Sequence, residues 1–182
     1  MRVRFALFLA ACLAVAPSLA SADDPPVYTV PPKPDFSSMN FLIGSWSCTS
    51  KSARRPSPAT YTETYAIDPT GYYLIDELKI APVPWANYAQ DLKFMITFDR
   101  DIKLFASELT STLGDYGLST SPGWVDGKLV WHLINNTPSL DVASSSDLTV
   151  TRVSDTQTTS VTSFTTKSGN TVGVTGSCTK ST

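Results

Sequence analysis

The sequence predicts an all-β, antiparallel up-and-down barrel of about ten strands, and three observations predict it. From Gly44 onward nearly every segment alternates apolar and polar residues with period two, and no helical periodicity exceeds two turns. The connections between these segments alternate between tight turns and longer loops. Two cysteines, Cys48 and Cys178, stand at opposite ends of the β-rich region, placed so that a disulfide would staple the first strand to the last.

The elements follow in chain order. Arg2 and Arg4 precede an apolar run from Phe5 to Ala16, and Ala20-Ser21-Ala22 stands before Asp23-Asp24. A basic start, a short apolar stretch and a small-x-small site describe a secretory signal peptide over residues 1–22, cleaved after Ala22. Leu9-Ala10-Ala11-Cys12 also resembles a bacterial lipoprotein cleavage box. The short stretch before Cys12 and the apolar run beyond it favour the Ala22 site. Cleavage there leaves 182 − 22 = 160 residues, one domain's worth, with 14 − 2 = 12 basic against 16 acidic side chains. That acidic balance argues against a nucleic-acid partner, which requires a basic surface to neutralise phosphates. No apolar run of the mature chain reaches the about 20 residues a transmembrane helix needs. The expected location is therefore secreted or periplasmic; nothing in the sequence sets an oligomeric state.

Residues 23–35 carry Pro25, Pro26, Pro31, Pro32 and Pro34 and read as an extended arm, because proline fixes φ and cannot donate to a ladder. Phe36 to Ile43 can form one short helical turn. The barrel domain is then 36–182, with strands expected near 45–51, 60–67, 72–80, 91–98, 103–110, 117–124, 128–134, 147–153, 158–166 and 171–180. In the clearest of them Leu92, Phe94, Ile96 and Phe98 share one face. Asp68-Pro69-Thr70-Gly71, Asp99-Arg100-Asp101, Asp126-Gly127 and Ser154-Asp155-Thr156-Gln157 are tight connections. The intervening ones at 52–59, 81–90, 111–116 and 135–146 are longer. In a meander such alternation gives one end closed by turns, a floor, and one end ringed by loops, a mouth.

With Cys12 removed, Cys48 and Cys178 are the remaining pair, read as a disulfide in an exported chain. Two Cys and one His, widely spaced, match no zinc pattern, so no metal is expected. If Cys48 faces Cys178 across an antiparallel pair, Trp46 stands opposite Lys180 and Ser50 opposite Gly176.

Gly44-x-Trp46, preceded by Phe41-Leu42 and opening a β-meander, resembles the calycin superfamily of lipocalins, fatty-acid-binding proteins and nitrobindin-like barrels. The hairpin Gly123-Trp124-Val125-Asp126-Gly127-Lys128-Leu129-Val130-Trp131 brings the chain nearest to bacterial secreted lipocalin-like barrels of unknown function. The resemblance spans roughly residues 36–180. It implies that Gly44, Trp46 and Lys180 are structural residues of the barrel floor, with the basic side chain packed against the indole. Nitrobindin-like barrels bind haem through a histidine close to the C-terminus. No histidine follows His132, so no cofactor is expected.

For chemistry, His132 lies on the opposite face from Trp131 and Leu133 and reads as a surface or structural histidine. Glu63, Asp76, Glu77 and Glu108 lie within strands, where charges are depleted. Such acids usually face solvent, but one inside the barrel would have a raised pKa, as catalytic carboxyls often do. The mouth loops hold Lys51, Arg54, Arg55, Trp85, Tyr88 and Tyr116, a set suited to an amphiphile with an anionic head. Arg152, within a strand, is the best single candidate for a buried counter-charge. The Thr- and Ser-rich last strands read as a solvated sheet face. The expected function is a barrel binding a small hydrophobic or amphiphilic molecule, with ligand residues Arg54, Arg55, Trp85, Tyr88, Tyr116 and Arg152. The alternatives are an isomerase or hydratase using an internal carboxylate, and a packed barrel acting through its surface.

Overall fold

The computed structural model describes residues 29–84, 86–136 and 142–181. The signal segment, the start of the proline-rich arm, Cys12 and Trp85 lie outside the described residues. Residues 29–36 carry no regular secondary structure. A 3₁₀ turn, Ser37–Leu42, follows and buries Met39 and Leu42, and Phe36 is buried just before it.

Twelve strands follow: β1 Gly44–Ser52, β2 Ala59–Ile67, β3 Leu74–Ile80, β4 Gln90–Asp99, β5 Leu104–Ser111, β6 Tyr116–Ser121, β7 Trp124–Val125, β8 Lys128–Asn136, β9 Val142–Ser145, β10 Leu148–Ser154, β11 Gln157–Thr166 and β12 Thr171–Lys180. Ten of them form a closed antiparallel ring, in which β12 pairs with β1 and β8 pairs with β10. The other two are short: β7 extends the hairpin with β8, and β9 continues the β10 line against β11. Closure leaves the ring without free edges. Among the described residues no helix is long and apolar enough to cross a membrane.

The register of β1 on β12 places Trp46 opposite Lys180, Cys48 opposite Cys178 and Ser50 opposite Gly176. Cys48 and Cys178 form a disulfide spanning 130 residues. On the chain-entropy model a loop of that length stabilises the fold by roughly 4–5 kcal/mol.

The solid core occupies the floor. Phe36, Met39, Leu42, Trp46, Leu74, Ile96, Phe105 and Leu129 form one buried cluster there. The 3₁₀ turn seals it from below, with Phe36 against Phe105 at 6.1 Å and Phe41 edge-on to Trp124 at 5.1 Å. A helix end leaves carbonyls without intrahelical partners. Here the floor residues supply donors: the Trp46 indole N–H donates to the Leu42 carbonyl at 2.6 Å, and the Lys180 ammonium donates to the Phe41 carbonyl at 2.7 Å. Lys180 Nζ also lies 5.4 Å from the Trp46 ring centroid. Gly44, at φ +118°, starts β1 in a conformation that side chains disfavour, and a Cβ there would lie 3.2 Å from Lys180 Cε.

Three sequence expectations need correction. The strand expected over 117–124 ends at Ser121, because Pro122 has no N–H for the ladder and Gly123 turns the chain at φ +92°. The loop expected over 135–146 is partly β-structure, since Asn135 and Asn136 belong to β8 and residues 142–145 form β9. The Thr- and Ser-rich strands β11 and β12 are not simply a solvated face: Thr158, Ser160 and Thr162 point into the barrel.

Candidate functional site

Above the floor cluster the barrel encloses a cavity of about 510 Å³. Period-two alternation decides what lines it. On β4 the inward residues are Leu92, Phe94 and Ile96; on β8 they are Leu129, Trp131 and Leu133. These make an apolar wall. Another part of the wall, on β11, presents the hydroxyls of Thr158, Ser160 and Thr162. The volume falls within the range typical of small-molecule sites.

Polar chemistry concentrates on β2 and β3. Tyr61, Glu63 and Tyr65 alternate along β2 and so share the inner face, while Asp76 stands directly opposite Tyr65 on β3. The Tyr65 hydroxyl donates to Glu63 Oε1 at 2.8 Å. Glu63 Oε2 lies 3.4 Å from each sulfur of the disulfide. Bonded to one another, those sulfurs carry no hydrogen, so the carboxyl receives no donor from them. The Tyr61 hydroxyl is 3.8 Å from Cys178 Sγ. Asp76 is buried, and its Oδ1 has no hydrogen-bond partner.

Burial is the main cause that pushes the Glu63 carboxyl above the ordinary carboxylate range, with hydrogen bonds from Tyr65 and Asp76 opposing it. Asp76 is raised well above that range, first by burial and then by the negative charge of Glu63. Tyr61 and Tyr65 are raised as well, again by burial first and then by the neighbouring acids. Two carboxyls this close inside an apolar shell do not readily ionise together. The ligand atoms of Cys48, Glu63 and Cys178 gather within 4.8 Å, a spacing that would suit a metal ion. With both sulfurs tied in the disulfide, neither is a thiolate donor.

The residues expected to bind ligand lie elsewhere. Arg55 and Tyr88 line a second cavity of about 180 Å³ at the mouth; Ser50, Ile80 and Val174 are common to both cavities, so the two adjoin. Arg54 and Tyr116 stand at the same end, on the β1–β2 connection and at the start of β6. Arg152 is not a buried counter-charge. It is exposed near the floor, its guanidinium 4.0 Å from the Phe41 ring centroid and 2.5 Å from Asp155. It shares the phase of Val150, but it stands at the lower end of β10, next to a register irregularity, where the side chain lies against Phe41 instead of in the lumen.

Of the four strand carboxylates, Glu63 and Asp76 face the cavity. Glu77 and Glu108 face solvent, Glu77 lying 3.8 Å from Lys93. His132 also faces outward and meets Asp147 at 2.7 Å. The sequence carries a signal for the inner pair: Asp76 is in phase with Leu74, Leu78 and Ile80, an acid on an otherwise apolar face. The partner role of Tyr61 and Tyr65 was not anticipated, although both share the phase of Glu63.

No protein-family model matches the chain, and no curated protein matches it. Solved structures do share its architecture. A redesigned β-barrel, mFAP0 bound to DFHBI, is 14% identical, with 77% of this chain and 99% of that one covered and a TM-score of 0.42. The S-type phycobiliprotein lyase CPES from Guillardia theta is 7% identical over 79% of this chain and 90% of its own, with a TM-score of 0.45. A protein of unknown function from the DUF3598 family of Nostoc punctiforme is 14% identical over 79% of this chain and 49% of its own, with a TM-score of 0.41. Likeness at this level carries no functional information.

Proposed function

We propose that this chain is an exported, calycin-type barrel that holds a small hydrophobic or amphiphilic molecule in its interior. The observation that carries the reading is the cavity of about 510 Å³ above a packed floor, walled by Leu, Phe and Trp side chains with one compact polar group. A chain folding only to act through its surface would fill that space, because a void forfeits the packing contacts of its lining. Export is supported by the signal-like start and by a disulfide, which persists in oxidising compartments. The rim residues Arg54, Arg55, Trp85, Tyr88 and Tyr116 are assigned to ligand entry rather than to the final bound contacts. Arg152 belongs to the floor.

A second reading rests on one specific observation: buried carboxyls in hydrogen-bond contact with a tyrosine inside a ligand-sized space. This is the arrangement an isomerase or hydratase would need for proton transfer. Binding is the primary reading because it requires the cavity alone.

The test is a fluorescence titration with the neutral apolar probe N-phenyl-1-naphthylamine, alongside native mass spectrometry of molecules co-purified with the protein. Saturable binding is expected, and Ser119→Trp, which places an indole in the cavity, should abolish it without unfolding the barrel. Failure of every apolar probe to bind, with no molecule co-purifying, would point to the surface-acting alternative.

A further inference from the structure

The charge of the large cavity is one-sided. Among the described residues that line it there is no Lys, Arg or His, whereas Glu63 and Asp76 both face it and share one patch of wall. The basic side chains at the mouth do not offset them: Arg55 lines the smaller adjoining space, and Lys180 is engaged by the Phe41 carbonyl at the floor. An anionic head group, expected from the mouth loops, fits this cavity poorly. A carboxylate or phosphate there would bring a further negative charge beside two acids with no cation to receive it.

The acids also have few donors. Glu63 accepts from Tyr65 and shares a hydrogen bond with Asp76, and its Oε2 rests against disulfide sulfur. Asp76 Oδ1 is buried without any partner, although buried polar atoms are almost always paired. What the wall offers an incoming molecule is thus acceptor capacity and negative charge. Trp46, Phe94 and Trp131 stand nearby to cover an apolar body.

We propose that the cavity takes an amphiphile whose polar end is a protonated amine, with Asp76 and Glu63 as its counter-charges. The proposal rests on the ligand-binding reading above. An ammonium carries three donors and one positive charge, and so answers both deficits at once. An alcohol or amide would satisfy one oxygen and leave the charge uncompensated.

An ammonium needs one carboxylate as its partner. Where the pair already carries one negative charge, the ammonium neutralises it and the remaining proton stays between the two groups; where both carboxyls are protonated, one proton leaves to solvent as the amine binds. Affinity for the amine therefore rises with pH until the amine itself deprotonates. The groups facing the pair act in the same direction or are neutral. Tyr61 and Tyr65 on β2 stay protonated, β1 and β12 contribute the disulfide, and β4 presents Phe94. On the outer face Glu77 adds negative charge and lies beside Lys93.

The experiment compares decylamine, decanol and decanoate by isothermal titration of protein purified after expression of the full chain. At pH 7 decylamine is expected to bind at least about tenfold tighter than either analogue. Asp76→Asn should remove most of that preference by weakening decylamine far more than decanol, and Glu63→Gln should act in the same direction. The ranking of the three probes is read on the unmodified protein, so it stands even if a variant folds poorly. Decanoate binding as tightly as decylamine overturns the amine assignment. Decanol binding equal to decylamine leaves the ligand-binding barrel intact and removes only the ammonium; binding of none of the three removes both.

Discussion

Replacement of Trp46 by alanine tests the floor on which the cavity rests. The indole is 1% exposed and belongs to the buried cluster with Met39, Leu42 and Leu74. Truncating a buried tryptophan costs about 3–5 kcal/mol. Part of this ring fronts the cavity rather than packed atoms, so fewer contacts are lost and the lower end, about 3 kcal/mol, applies. The variant also leaves the Leu42 carbonyl without the indole N–H that reaches it at 2.6 Å, adding about 1 kcal/mol. The expected loss is therefore about 4 kcal/mol by urea unfolding. Trp46→Phe separates the two contributions, since it keeps a ring but not the donor, and should cost about 1–2 kcal/mol. The Lys180 ammonium would lose the indole face in the first variant and keep an aromatic face in the second. A loss below about 1 kcal/mol for Trp46→Ala, with an unchanged denaturant slope, would refute the floor argument, because no core residue of this burial is removed so cheaply.

Two further outcomes are expected. Replacing Cys48 and Cys178 together by alanine should lower the unfolding free energy by roughly 4–5 kcal/mol, measured in urea, and the unmodified protein should show no free thiol from this pair on titration after denaturation. Asp76→Asn should change how stability depends on pH. Burial and then Glu63 raise the Asp76 pKa in the fold, so its contribution is fully present below the unfolded carboxyl value and is lost as pH rises through the folded one. The unmodified protein should thus weaken from mildly acidic toward alkaline pH. The variant should weaken less and be more stable at pH 8 by on the order of 1–3 kcal/mol, the usual cost of a poorly partnered buried polar group. Parallel pH profiles for the two proteins would show that Asp76 is not held neutral.

Period-two alternation and turn chemistry are local properties, which is why the ring of ten strands, the floor-and-mouth polarity and the β1–β12 register were legible in the sequence. One cysteine pairing set that register, because antiparallel partners have a constant sum of residue numbers. The 3₁₀ turn before Gly44 and the inward face of Leu92, Phe94 and Ile96 were likewise readable from residue type and phase. The break at Pro122-Gly123 was written in the same chemistry and was missed because the flanking residues keep a strand-like pattern.

What the sequence determined by itself is therefore the fold, its closure and which side chains share a face. It marked Glu63 and Asp76 as unusual without saying that they meet. That meeting was decided only by the tertiary structure. Glu63 and Asp76 stand diagonally across β2 and β3, and whether both face inside depends on the sense in which the sheet curls. The same holds for Arg152, whose strand position is compatible with the lumen until the barrel's lower end places it outside against Phe41. Whether the interior is filled or hollow is likewise a sum over ten strands of side-chain volume against ring circumference. No local pattern contains that sum, and the cavity of about 510 Å³ is its result.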